Sequence, residues 1–135
     1  MKAIIEDTED MSNLKLQKLL YYSQGIFLAM TGKALFSDDI VAWEHGPVVE
    51  CVYHEYKSYG RKGIAYSDLL EPKEEYTEEE ENILMQVYEY FGQYSAWGLR
   101  NMTHKETPWL SIKKNHVIPV DVIKNYFEKH YVEED

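Results

Sequence analysis

Residues 41–56 read VAWEHGPVVECVYHEY and hold Trp43, His45, the lone cysteine Cys51, His54 and three glutamates around a Gly46-Pro47 step. Two kinds of chemistry use such residues. A structural zinc site takes four thiolate or imidazole ligands, and Cys51 and His54, at i and i+3, fall close enough on a helix to share an ion. They are two ligands short, and although His104 or His116 could join them, no spacing demands it. A cysteine nucleophile needs a lowered thiol pKa and an oriented base. Glu50 and Glu55 would instead raise the pKa of Cys51. The helix phase also turns the pair outward. At about 100° per residue, Val49, Val52 and Tyr56 define the core-facing arc, with His54 opposite it and Cys51 well away from it. The chain has no G-x-S-x-G elbow, H-E-x-x-H pair or Gly-rich phosphate loop. The expectation is therefore no catalytic residue, no metal and no cofactor.

His45 stands at a corner beside Gly46-Pro47. Its ring either hydrogen-bonds a neighbouring backbone group and fixes the turn, or stands with Trp43 at a rim that touches a partner. The same choice applies to Thr103-His104 ahead of Thr107-Pro108-Trp109, where Trp109 reads as a plug in the core rather than a binding anchor. Lys18, beside Leu16 and Leu19, is expected to be half buried and paired with a carboxylate such as Glu44.

The elements that position these residues follow from period and punctuation. Ser12 or Asn13 offers an N-cap for LKLQKLLYYSQGIFLAM, and Gly32 lies just past its end. Leu16, Leu19, Leu20, Ser23, Phe27 and Met30 form the buried stripe, which Leu14, Tyr21, Tyr22 and Ile26 widen until the helix must sit centrally. Ile40 to Trp43 reads as a short strand. Pro47 fits the first position of a second helix, which runs to about Tyr59 and stops at Gly60. Ile64 to Tyr66 reads as a second short strand. Residues 71–81 hold seven glutamates and form an exposed connection, ending in a Thr77/Glu80 capping box. The helix that follows turns Ile83, Leu84, Val87, Tyr88 and Phe91 inward. Ser95 caps a helix over 96–103, Thr107-Pro108 opens a short one, and Pro119 opens the last, with Val122, Ile123, Tyr126 and Phe127 on its core side. The fold class is mainly α: a single compact domain of five to six helices with a small two- or three-stranded β-sheet. An acidic segment over 1–12 precedes it and an acidic tail over 132–135 follows.

The totals set the limits. A chain of 135 residues suits one core. Fourteen basic against 24 acidic residues give a formal charge of −10, which points away from nucleic acid, whose phosphates are met by clustered Lys and Arg. An acidic surface suits solubility or a basic protein partner. The single cysteine excludes an intrachain disulfide, and no run approaches the roughly 20 apolar residues of a membrane span. The expected location is the cytoplasm, with no membrane contact.

Three segments resemble one known family. L-x-K-L-L-Y-Y carries Leu16, Lys18, Leu19, Leu20, Tyr21 and Tyr22; A-W-x-x-G-P-V carries Trp43, Gly46, Pro47 and Val48; T-H-x-x-x-P-W carries Thr103, His104, Pro108 and Trp109. With Tyr53 and a last helix ending near IKNYF, they run in order from about Asn13 to Phe127 and resemble the Panacea domain of SocA-like antitoxins and phage-associated proteins. The resemblance implies a mostly helical fold and no enzymatic activity. It also implies a cognate toxin from an adjacent gene as partner, and an ATP-dependent protease as a further one. Its alternative implication is a proteolytic adaptor or phage-encoded regulator that binds a host protein without a toxin. Some family members add an N-terminal zinc- or DNA-binding domain. No such domain is expected here, and so no promoter binding.

Overall fold

The computed structural model describes residues 12–57 and 77–132. The acidic segment up to residue 11, the expected end of the second helix at Tyr59-Gly60, the strand expected at Ile64–Tyr66, most of the glutamate-rich connection and the last three residues lie outside them.

Helix α1, Asn13–Thr31, begins where the Ser12 side chain accepts the Lys15 N–H and ends at Gly32, whose φ of 77° is left-handed. It packs against every larger helix of the described chain. That position explains its composition: Leu16, Leu19, Tyr21, Tyr22, Phe27 and Leu28 are buried, and so are Asn13, Gln17, Lys18, Ser23 and Gln24. Met30 departs from the expected stripe: it stands near the C-terminal end of α1 and is 47% exposed.

Strands β1, Val41–Trp43, and β2, Gly46–Val48, form an antiparallel hairpin in which Val41 faces Val48, Ala42 faces Pro47 and Trp43 faces Gly46. Pro47 is thus not the first residue of a helix, as its sequence setting suggests, but a strand residue. The two-residue loop makes Trp43 and Gly46 the hydrogen-bonded pair, so at the next pair the backbone of each residue points away from the other. A proline costs no ladder bond there. The outer edge of β1 is used too: the Ala42 N–H donates to His116 at 3.0 Å and the Asn115 N–H to Ala42 at 2.6 Å. Val41 also bridges Val117, which gives the hairpin a strand-like third neighbour.

Helix α2, Glu50–Tyr56, starts after Val49 and turns Tyr56 inward. Helix α3, Glu78–Phe91, carries the complete Thr77/Glu80 capping box and buries Ile83, Leu84, Val87 and Phe91. Ser95 caps α4, Ala96–Thr103. Helix α5, Thr107–Leu110, is capped by Glu106 rather than Thr107, and without a side-chain bond. Leu110 is 56% exposed. Pro119 is the N-cap of α6, Val120–Phe127, which continues into a π turn over Glu128–Val132. The core closes where α6 crosses α1. A Cβ at Gly25 would stand 2.5 Å from the Phe127 ring, so glycine sets the depth of that crossing. Tyr22 stacks on Phe91 at 4.0 Å, which ties α3 to the same point.

Candidate functional site

The three motifs meet on the buried face of α1. Its spacing of three and four puts Asn13, Gln17, Lys18, Tyr21 and Tyr22 on neighbouring turns, each polar end aimed at a different element. The Asn13 amide donates to the Tyr53 carbonyl at 2.9 Å, Gln17 donates to Asn13 at 2.9 Å, and the Val49 N–H donates to Gln17 at 2.8 Å. This ladder fixes the start of α2, whose cap residue has no capping side chain of its own.

Lys18 is fully buried, and among the described residues it pairs with a carbonyl rather than a carboxylate. Its Nζ donates to the Pro47 carbonyl at 2.9 Å, the group that pairing leaves pointing away from β1. The expected partner, Glu44, is exposed in the hairpin loop and plays no part. Burial lowers the Lys18 pKa to about 7, and the Arg100 charge adds to the effect. Gly46, at φ 119°, packs its backbone on this lysine: an added Cβ would lie 2.7 Å from Lys18 Cε and 2.8 Å from Thr103 Oγ1. One glycine therefore carries both the turn and the approach of hairpin, α1 and α4.

Trp109 locks the other side of the hairpin. Its Nε1 donates to the Trp43 carbonyl at 2.7 Å, the His104 ring stacks on it at 3.9 Å, and the Lys114 ammonium sits 3.7 Å from its centroid. Trp109 is half-buried and clamped, close to the plug its sequence suggests, with Pro108 buried at the start of α5. Burial and the Arg100 charge lower the His104 pKa, against a raising effect from the His45 backbone; the charges of Lys18 and Lys114 lower it further. His104 Nε2 and Arg100 Nε are buried without a hydrogen-bond partner among the described residues. The His45 side chain is exposed, so only its backbone bears on the node.

Glu106 joins the node from a position the third motif leaves open. Its carboxylate, 4% exposed, accepts the hydroxyls of Tyr21 at 2.9 Å, Tyr22 at 3.1 Å and Tyr131 at 2.5 Å. Burial raises the Glu106 pKa and the three donors oppose it. Burial also raises the tyrosines, and the Glu106 charge adds to it, so the hydroxyls keep their protons. With its carboxylate occupied on both oxygens and α5, α1 and the π turn all tied to it, this group braces the fold.

Cys51 and His54 are exposed on α2, apart from this node. The Cys51 thiol donates to Asp38 at 3.1 Å; partial burial and that carboxylate raise its pKa, a role the sequence had given to Glu50 and Glu55. Trp43 is half-buried, edge-on to Tyr53 at 4.8 Å, and donates to Glu50 at 3.2 Å. Among the described residues no group of three or more His, Cys, Asp and Glu could hold a metal ion. Sequence reasoning missed Gln17, Glu106 and Tyr131. Polar residues on a helix that must be buried all round were the signal for Gln17; nothing local marks the other two.

Comparison with known proteins meets this geometry. Antitoxin SocA of Caulobacter vibrioides (strain NA1000 / CB15N) is 45% identical over 53 residues, 39% of this chain and 28% of that protein. The chain thus spans less than a third of the relative it matches. No solved structure matches. The family described as antitoxin SocA-like, Panacea domain, matches residues 16–110, which take in all three motifs and Glu106. The chain belongs to the SocA-like Panacea-domain family.

Proposed function

We propose that this protein is the antitoxin of a toxin–antitoxin pair, a cytoplasmic protein that neutralises its toxin by direct stoichiometric binding and without catalysis. The observation that carries the reading is how the motif residues are used. Lys18 is spent on the Pro47 carbonyl, Trp109 on the Trp43 carbonyl, and Tyr21 and Tyr22 on Glu106. Residues so committed hold a scaffold in shape, and recognition then falls to the surface around it. Likeness to a protein named as an antitoxin supports the same class of function. The acidic charge of −10 would speed encounter with a basic toxin.

The test is co-expression with the neighbouring reading frame. That product should arrest growth alone, be harmless with this chain, and elute with it as one complex. A neighbour that is harmless alone removes the antitoxin reading. Capture of a protease subunit in its place would favour an adaptor.

A further inference from the structure

Met30, expected inside, stands instead in a groove between α1 and α3. One end, of about 540 Å³, is lined by Ile26, Val87, Tyr90, Phe91 and Tyr131. The other, of about 730 Å³, is lined by Phe27, Ile83, Asn82, Lys33, Glu78 and Glu79. Met30 and Gln86 line both, so the two ends form one trough along α3. That helix has 14 residues, which at 1.5 Å each gives the trough about 20 Å, or about four turns of a second helix.

Two properties define what fits. Within the trough, Met30 and Tyr90 are about half exposed, and methionine adapts its shape to whatever packs on it. The mouth is acidic on balance at one end, where Glu78 and Glu79 line it against Lys33, while His130 lines the other end. The floor is also pre-organised, because Tyr131 is held by Glu106 and Phe91 by the Tyr22 stack.

We propose that this trough docks a basic amphipathic helix of the partner protein. The helix seats apolar side chains against Met30 and Tyr90 and places Lys or Arg opposite Glu78 and Glu79. That the partner is a toxin rests on the function proposed above; the chemistry of the groove does not.

The test has two arms. In the first, a fluorescent leucine–lysine peptide of helical period is titrated with the full chain, beside a scrambled peptide of the same composition. The amphipathic peptide should bind at least about tenfold tighter than the scrambled one. Met30→Asp and the pair Glu78→Lys with Glu79→Lys should each weaken it about tenfold, whereas Trp97→Ser on α4 should not. Equal binding of the scrambled peptide, or indifference to the groove variants, overturns the proposal. If Met30→Asp fails to fold by circular dichroism, the exposed glutamate pair decides. Light scattering of the chain alone adds a check: a dimer that Met30→Asp dissociates would make a second copy the occupant and also overturn it.

In the second arm the same variants are co-expressed with the neighbouring gene product. Protection by the wild type but not by Met30→Asp supports the groove. Equal protection by both overturns the groove and leaves the antitoxin reading standing. If the wild type does not protect, the antitoxin reading falls and the peptide arm alone judges the groove.

Discussion

Two buried ionisable side chains decide most at the level of single residues, and they act in different ways. Lys18 is held at a pKa of about 7 in the folded chain against 10.5 when unfolded, because burial disfavours its charge and Arg100 adds to that. Between those values the unfolded chain binds more protons. This lysine's contribution to stability is therefore fully present above about pH 10.5 and is lost as pH falls toward 7. Lys18→Met keeps the length and removes the titration. Relative to wild type, the variant should lose roughly 3 kcal/mol between about pH 6.5 and about pH 9.5. Urea denaturation at the two pH values measures it, and parallel behaviour of the two proteins would refute the assignment. Glu106 contributes through its partners rather than its titration. Glu106→Gln puts an amide nitrogen where a carboxylate accepted hydroxyls, so it should cost about 2–3 kcal/mol in the same assay. A cost below about 0.5 kcal/mol would mean that the three tyrosines find acceptors elsewhere.

Elements are fixed by what ties them together, and the hairpin of β1 and β2 is where the tie is tightest. Gly46→Ala asks an L residue to hold φ 119° while its Cβ presses on Lys18 and Thr103, which should cost about 2–4 kcal/mol. Trp109→Phe keeps a ring for His104 to stack on but drops the bond to the Trp43 carbonyl, at about 1–2 kcal/mol. Thermal melts should rank the two in that order, and the reverse order would shift the weight from the turn to the tryptophan. The same hairpin shows where sequence reading stops. The starts of α1, α3 and α4 were legible because each rests on a local capping pattern at Ser12, Thr77 or Ser95. Pro47 was misread because a Gly-Pro step looks alike before a helix and inside a strand. What decides is pairing with β1, whose other edge is held by residues 115–118, far along the chain. Glu106 was illegible for the same reason: its partners lie 84 and 85 residues before it and 25 after. Lys18 was expected half buried beside a carboxylate, because spacing on one helix cannot say how deep the side chain lies or whether a carboxylate or a carbonyl waits opposite.

For the molecule as a whole, the mainly α architecture and the family were legible from three motifs, since those motifs meet in the core of this chain. The proposed partner surface was not: Met30 fits the period of the buried stripe on α1 yet is exposed, and Tyr90 lies among the exposed residues of α3, so periodicity marks neither. Charge and groove then separate into two kinetic effects. The charge of −10 acts over a Debye length, before contact, so it should govern the association rate with a basic partner. The apolar floor acts only after contact, so it should govern dissociation. With the neighbouring gene product immobilised, raising salt from about 50 mM to about 500 mM should slow association by about tenfold or more and leave dissociation nearly unchanged. Met30→Asp should do the opposite, speeding dissociation while association changes little. If salt accelerates dissociation as strongly as it slows association, the charges lie within the contact itself and the division between steering and seating is wrong.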